Sequence, residues 1–271
     1  MTEPISYPIC RTCGVQYAGP RADCPVCDDE RQYVGWNGQQ WTTLAELRSA
    51  GHRGRVGAEG PGVTGIGTDP AFAIGQRALL VRGPSGNVLW DCITYLDDEL
   101  IASVRALGGI SAIAISHPHY YGTMIDWADA FGAPVYVHAA DREWVGRPDP
   151  AVRYWDGDTL AIADGFTLIN AGVHFAGGTV LHRAAGADGA AALFSGDILQ
   201  VVMDRDWVSF MYSYPNLIPE RPATVRRVLD LLEPWDFDRV YGAWWGRVIA
   251  AGGKAAVRRS AERYLGFVRD E

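Results

Sequence analysis

The stretch 110–122, ISAIAISHPHYYG, is the part of the chain that decides the fold. Its first half is an apolar run typical of a buried strand, and two histidines, His117 and His119, follow where that strand ends. Because Pro118 fixes the backbone between them, both imidazoles can point at the same metal ion. The stretch therefore predicts a buried strand that ends in two metal ligands.

Two further candidate ligands lie downstream in similar positions. His174 is in the glycine-bounded stretch 172–178, GVHFAGG, and Asp197 ends the stretch 194–197, FSGD. Either residue alone would more often be structural. Together with the histidine pair they supply three neutral nitrogens and one oxygen, which is the ligand set of a catalytic zinc site that leaves room for water. We expect zinc in this His3Asp site, with iron and manganese as alternatives.

The alternation of short strands and helices predicts an α/β protein. Short strands come in pairs before and after each helix, which favours a layered sandwich with hairpins and crossovers over a purely parallel sheet. Thr43 and Glu46 form a capping box that marks the start of a short helix. The glycine-rich stretch 57–67 is expected to be a loop or linker. Strands are predicted at 78–82, 87–91, 112–116, 135–138, 167–170, 179–183, 191–195 and 239–241, and helices at 98–107, 123–131, 222–232 and 254–268.

The four N-terminal cysteines have the spacing of a metal-binding ribbon. Cys10, Cys13, Cys24 and Cys27 form a C-x2-C-x10-C-x2-C pattern, in which four thiolates can converge on one tetrahedral ion. We expect structural zinc in this four-cysteine site, and a rubredoxin-like iron site and a pair of disulfides are the alternatives. Four thiolates leave no open position for substrate, so this site is expected to be separate from the His3Asp site. Cys92 follows an apolar run and is expected to be a buried core residue.

These patterns divide the chain into three segments. Residues 1–35 are predicted to be a small zinc-ribbon-like segment, 36–76 a linker with a short helix, and 77–271 the main α/β domain. A segment of about 35 residues cannot bury a core of its own, so the metal would supply most of the ribbon's folding free energy.

The segment from about 77 to 245 resembles the metallo-β-lactamase superfamily of metal-dependent hydrolases, to which the glyoxalase II-like enzymes belong. The resemblance implies a four-layer αββα sandwich, here preceded by a small N-terminal zinc ribbon. It also implies that Asp91, at the end of a predicted strand, supports the metal site from behind. The residues that match the family's ligands are His117, His119, His174 and Asp197, the last being the carboxylate that bridges both ions in two-metal members.

The departures from the family pattern concern the second metal. Tyr121 and Gly122 stand where the family has Asp and His, and the stretch 241–245, YGAWW, occupies the region of the last His. The resemblance therefore implies a one-metal site. We expect Asp197 to orient or deprotonate a water, and Tyr120 or Tyr121 to donate a hydrogen bond to a developing oxyanion. Simple packing is the alternative role of both tyrosines.

Composition and charge exclude several classes of protein. The chain has 24 Lys and Arg against 32 Asp and Glu, a net charge of −8 that disfavours nucleic acid and anionic lipid as partners. No apolar run approaches the roughly 18 to 20 residues that a membrane helix needs, and the N-terminus has no signal-peptide pattern, so we expect a soluble, cytoplasmic protein without a membrane partner. Whether it forms a homo-oligomer is left open.

The aromatic residues concentrated in the last third of the chain bear on the substrate. The irregular stretch 210–216, FMYSYPN, lies between Asp197 and the last helices, where a lid over the metal would be, although a buried core explains it equally well. We expect hydrolysis of an ester, thioester, lactone or related bond in a small apolar or aromatic molecule. The alternative is a non-catalytic member of the fold that has a degenerate site and binds a ligand or a protein partner.

Overall fold

The N-terminal segment folds around its four cysteines. The structure is a computed structural model that describes residues 6–268. Strand β1 (Ile9–Cys10) pairs with β2 (Trp41–Thr42), and helix α1 (Pro25–Asp28), between them in sequence, carries the last cysteine. Helix α2 (Leu44–Ser49) follows and begins with the predicted capping box.

A seven-stranded sheet forms one half of the sandwich. Its first four strands pair antiparallel and the remaining three pairs are parallel. Helices α3 (Asp98–Ala106) and α4 (Met124–Phe131) provide the crossover connections of the first two parallel pairs, and a 3-10 helix (Ala139–Trp144) lies in the connection of the third. In order across the sheet the strands are β3 (Arg53–Gly60), β4 (Val63–Asp69), β5 (Ala78–Val81), β6 (Val88–Trp90), β7 (Ala112–Ala114), β8 (Val135–His138) and β9 (Val152–Trp155).

A six-stranded sheet forms the other half, in the order β10-β11-β12-β13-β18-β19. Its strands are β10 (Thr159–Ala163), β11 (Phe166–Asn170), β12 (Thr179–Arg183), β13 (Ala192–Gly196), β18 (Arg239–Gly242) and β19 (Val248–Ile249). Two small antiparallel pairs and a helix lie between β13 and β18. Strand β14 (Gln200–Val201) pairs with β15 (Val208–Ser209), β16 (Met211–Ser213) pairs with β17 (Ile218–Pro219), and helix α5 (Pro222–Leu232) follows. Helix α6 (Gly253–Phe267) is the last element of the described residues.

Three apolar cores hold four layers together. The side chains between the sheets include Trp90 from the first sheet and Phe194 from the second, both almost fully buried. A second core joins the outer face of the first sheet to α3, α4 and the cysteine ribbon, and a third joins the second sheet to α5 and α6. The predicted αββα sandwich with an N-terminal ribbon is confirmed. No helix within residues 6–268 has the length and apolar character to cross a bilayer.

The prediction of a loop at 57–67 is wrong. This stretch lies in the hairpin of β3 and β4, which pairs with β5 as part of the seven-stranded sheet. Its glycines serve packing, because the indole of Trp245 lies directly over Gly57, Gly65 and Gly67. The segment 36–76 therefore includes two strands of the main sheet, while the three-segment division itself stays a prediction. The other predicted elements occur within two residues of their expected ends. The sequence patterns miss β9, β10 and the short strands β1, β2, β14 to β17 and β19.

The glycine surface under Trp245 gives a test of this packing. A Cβ at position 65 would lie 2.6 Å from Cζ3 of Trp245, so Gly65→Ala should lower the free energy of unfolding by about 1 to 3 kcal/mol. Gly19→Ala is the control, because a Cβ at position 19 meets no atom within 4 Å. Denaturant unfolding measures both variants. A penalty for Gly65→Ala that persists unchanged in a Trp245→Ala background would contradict the packing argument.

Candidate metal centre

The four predicted ligands of the His3Asp site come together at strand ends. His117 and His119 flank the start of a short 3-10 turn after β7, His174 is in the loop between β11 and β12, and Asp197 directly follows β13. One ligand atom from each residue lies within 4.8 Å of the others, and all four residues are buried. The sequence prediction that these residues form one cluster is confirmed.

The spacing of the ligand atoms fits a metal ion. Nε2 of His117 is 3.2 Å from Oδ1 of Asp197, and Nδ1 of His119 is 3.1 Å from Nε2 of His174. A tetrahedral ion with bonds of about 2.0 to 2.1 Å places neighbouring ligand atoms roughly 3.3 Å apart. Nε2 of His117 and Oδ1 of Asp197 are buried and have no hydrogen-bond partner among residues 6–268, and a bound ion would satisfy both.

Burial sets the protonation of the cluster. It lowers the pKa of His117 and of His119 well below the usual range and that of His174 to about 4, so the imidazoles are neutral at pH 7, as metal ligands must be. Burial also raises the pKa of Asp197 to about 7. A carboxylate buried among neutral imidazoles lacks a positive charge, which a divalent cation would supply.

Neighbouring groups orient two of the imidazoles. The Ser116 hydroxyl is 2.9 Å from Nδ1 of His117, and the Ser116 amide donates to Oδ1 of Asp91 at 2.8 Å. Asp91 thus supports the site from behind, and burial raises its pKa to about 8. Nδ1 of His174 donates to the carbonyl oxygen of Tyr212 at 2.6 Å, which leaves Nε2 of His174 free to bind metal.

The two candidate tyrosines have different surroundings. The Tyr121 hydroxyl donates to the carbonyl oxygen of Asp141 at 3.1 Å. The Tyr120 hydroxyl is buried and has no hydrogen-bond partner in the described part of the chain, and the Tyr120 ring centroid is 5.2 Å from that of His117. Burial, reinforced by the charges of Asp197 and Asp91, raises the pKa of Tyr120 well above its usual value, so its phenol keeps its proton. Of the two tyrosines, Tyr120 is therefore the one whose hydroxyl is available to donate a hydrogen bond to a substrate.

The positions that correspond, by the resemblance to metallo-β-lactamases, to second-metal ligands are used for packing in this protein. A Cβ at Gly122, whose φ is +45°, would lie 2.9 Å from the carbonyl carbon and oxygen of Ile93. Nε1 of Trp244 donates to the carbonyl oxygen of Ile74, and Trp245 covers the glycine hairpin. The Ile93 backbone thus fills the space beside Gly122, and indole rings fill the region 241–245.

The four N-terminal cysteines also converge. The sulfurs of Cys10 and Cys27 are 3.6 Å apart, as are those of Cys13 and Cys24, and all four residues are buried. Four thiolates at about 2.3 Å from a tetrahedral ion would be roughly 3.8 Å apart, so the cluster fits a metal site. Cys92 is buried in the core, as predicted.

The two candidate metal clusters share no residue, as predicted, but a residue of the ribbon contacts the His3Asp cluster. Nη1 of Arg31, in the ribbon, donates to the carbonyl oxygen of His174 at 3.3 Å. The Arg31 guanidinium lies over the ring of Phe175 at 3.9 Å, and this ring stacks on His117 with centroids 5.5 Å apart. The sequence offers no motif for this contact, because an isolated arginine after a cysteine knuckle has no characteristic pattern.

Metal content tests the two clusters independently. We expect purified protein to hold one ion in the four-cysteine cluster and one in the His3Asp cluster, and His119→Ala to lose the second ion only, since the ligand sets share no residue. Elemental analysis measures the ratio of metal to protein. His52→Ala is the control, because His52 is half-buried, bonds to the Pro70 carbonyl and belongs to neither cluster. Three ions per chain in the wild-type protein would overturn the one-metal site.

Comparison with known proteins places the chain in a family. No family model matches it. It is 46% identical over 271 residues to "Uncharacterized protein YmaE" of Bacillus subtilis (strain 168), covering 98% of each chain. Among similar solved structures, VMB-1 is 14% identical with a TM-score of 0.60, and the match covers 80% of this chain and 99% of that one. The DIM-1 metallo-β-lactamase is 15% identical with a TM-score of 0.58, and the match also covers 80% of this chain and 99% of that one. A metallo-β-lactamase of Cronobacter sakazakii with a HARLDQ motif is 18% identical, with a TM-score of 0.53, over 78% of this chain and 92% of that one. The chain thus belongs to the same family as Bacillus subtilis YmaE and has the metallo-β-lactamase fold.

Proposed function

We propose that the protein is a metal-dependent hydrolase with one ion, zinc by preference, in its His3Asp site. The observation that carries the proposal is the convergence of three neutral imidazoles and one carboxylate at strand ends of this fold. The chemistry that a divalent ion supplies in such a site is Lewis acidity, which activates water and polarises a carbonyl oxygen. Iron and manganese are the alternative ions.

The chain's own residues complete the proposed chemistry. Asp197 would orient the attacking water and accept its proton, because it supplies the carboxylate of the four-residue cluster. The Tyr120 hydroxyl would donate a hydrogen bond to the oxyanion that develops on the substrate. This donor would replace part of the electrostatic stabilisation that a second ion gives in two-metal members.

The walls of the site favour a small apolar or aromatic substrate. Phe175 contacts His117 and His119, and the Tyr214 ring lies 5.9 Å from that of His174. We propose an ester, thioester, lactone or related bond in such a molecule, and action in the cytoplasm. Because the ligands are buried, part of the protein surface over the site must move to admit substrate.

The same burial is the observation that favours the alternative function. His117 is 1% exposed and Asp197 3%, so the closed site could also serve a non-catalytic protein that binds a ligand or partner elsewhere on its surface. Turnover separates the two functions. A panel of esters, thioesters and lactones should include a substrate that the metal-loaded protein hydrolyses and that His119→Ala and the metal-depleted protein do not. No turnover on the whole panel, with the metal confirmed present, would favour the binding protein.

The two adjacent tyrosines form a matched pair of variants. Tyr120→Phe should lower kcat by ~10² to 10³, because it removes the proposed oxyanion donor, and should change stability little. Tyr121→Phe should keep kcat but lower the free energy of unfolding by about 1 kcal/mol, because the carbonyl of Asp141 loses its donor. Steady-state kinetics and denaturant unfolding of both variants check this. Equal kcat for Tyr120→Phe and wild type would remove the phenol from the mechanism.

A further inference from the structure

The ribbon segment 29–32 lies against the third ligand of the His3Asp site. It begins where helix α1 ends, and the amide of Asp29 donates to the carbonyl oxygen of Pro25 in that helix. Arg31 in this segment donates to the His174 carbonyl and covers the ring of Phe175. This short segment of chain thus joins the metal-binding knuckle to the His3Asp site.

The ribbon itself orients the Arg31 guanidinium. Nε of Arg31 donates to Oδ1 of Asp29 at 2.5 Å, and Nη2 donates to Oδ2 at 2.8 Å. The same Oδ1 accepts the backbone amide of Arg31 at 3.0 Å. A bidentate pair of this kind fixes the plane of the guanidinium as well as its position. Since Asp29 caps α1, the direction of Arg31 depends on the folded knuckle.

The aromatic loop, residues 210–220, makes a second connection between the sites. The Tyr212 hydroxyl donates to Glu30, and the Ser213 hydroxyl donates to the carbonyl oxygen of Arg31. Nδ2 of Asn216 donates to the carbonyl oxygens of Glu30 and Gln32, at 2.9 and 3.0 Å. The carbonyl of the same Tyr212 accepts from Nδ1 of the third histidine ligand. The ribbon therefore fixes the loop that orients this ligand.

His174 needs such external support. Its φ is +66°, in the left-handed region that non-glycine residues adopt only where their surroundings enforce it. Its amide donates to Oε2 of Glu220 at 3.2 Å, its Nδ1 to Tyr212, and its carbonyl accepts from Arg31. Two of these three partners belong to the aromatic loop and one to the ribbon.

We propose that the folded ribbon positions His174, so that metal binding at the four-cysteine site raises the affinity of the His3Asp site for its own ion. Arg31 is the positioning residue. The metal of the four-cysteine site would hold the knuckle that precedes Asp29 and Arg31, so loss of that ion would weaken the support that the ribbon gives to Arg31 and to the 210–220 loop. The inference goes beyond the proposed hydrolysis, because it concerns metal affinity and holds whether or not the site catalyses a reaction.

Cobalt titration of the full chain tests the coupling. Protein with zinc in the four-cysteine site is titrated with Co²⁺ against a competing chelator, and the visible absorption of nitrogen-bound and oxygen-bound cobalt reports filling of the His3Asp site. Arg31→Ala should weaken Co²⁺ binding there by roughly 10- to 100-fold, while zinc stays in the four-cysteine site. Arg31→Lys should recover only part of the loss, because an ammonium cannot pair with both oxygens of Asp29.

The same cobalt titration is applied to a control variant and to a variant of the four-cysteine site. Arg11→Ala removes an equal charge from an exposed position of the ribbon and should leave the affinity unchanged. Cys24→Ser, which disrupts the four-cysteine site, should weaken cobalt binding at least as much as Arg31→Ala. Equal affinity in Arg31→Ala and wild type, with the four-cysteine site loaded in both, would overturn the proposal even if Cys24→Ser fails to fold. Since no substrate is used, this result is independent of the test of hydrolysis.

Discussion

The burial of one carboxylate among three neutral imidazoles is the constraint on which the rest of the structure depends. Water cannot solvate Asp197, and the imidazoles offer no positive charge, so the ionised cluster is stable only with a cation among its four ligand atoms. Each ligand comes from a loop at a strand end or from the turn after β7. The sandwich therefore brings those strand ends to one place, and the surrounding hydrogen bonds orient the imidazole rings.

The parts of this arrangement that could be predicted from sequence are local. His117 and His119 follow an apolar run at a spacing that suits a turn, and Asp197 closes a second apolar run in the same way. The spacing of the four cysteines defines their geometry without reference to the rest of the chain. Most strands and helices after residue 77 could be predicted because their hydrophobic patterns are set by burial against both neighbouring layers.

The parts that could not be predicted depend on partners far along the chain. Glycines in β3 and β4 suggest a loop until Trp245, near the other end of the sequence, is known to lie over them. Tyr120 and Tyr121 are adjacent and identical in type, and only the direction of the 3-10 turn separates a bonded hydroxyl from a free one. Arg31 belongs to no motif, and its role follows from the position of the ribbon against His174.

The proposed one-metal site follows from packing as well as from the loss of three side chains. Gly122 has a φ of +45°, and a side chain there would press on the Ile93 carbonyl, so a histidine could enter only if that backbone moved. The Tyr121 hydroxyl is held by the carbonyl of Asp141, and the Trp244 indole by a backbone carbonyl of the chain before β5. Because each position contributes to packing, replacing these residues with the ligands that two-metal metallo-β-lactamases have there would destabilise the scaffold before it created a second site. In the proposed hydrolase, one ion and the side chains around it would therefore have to carry the chemistry.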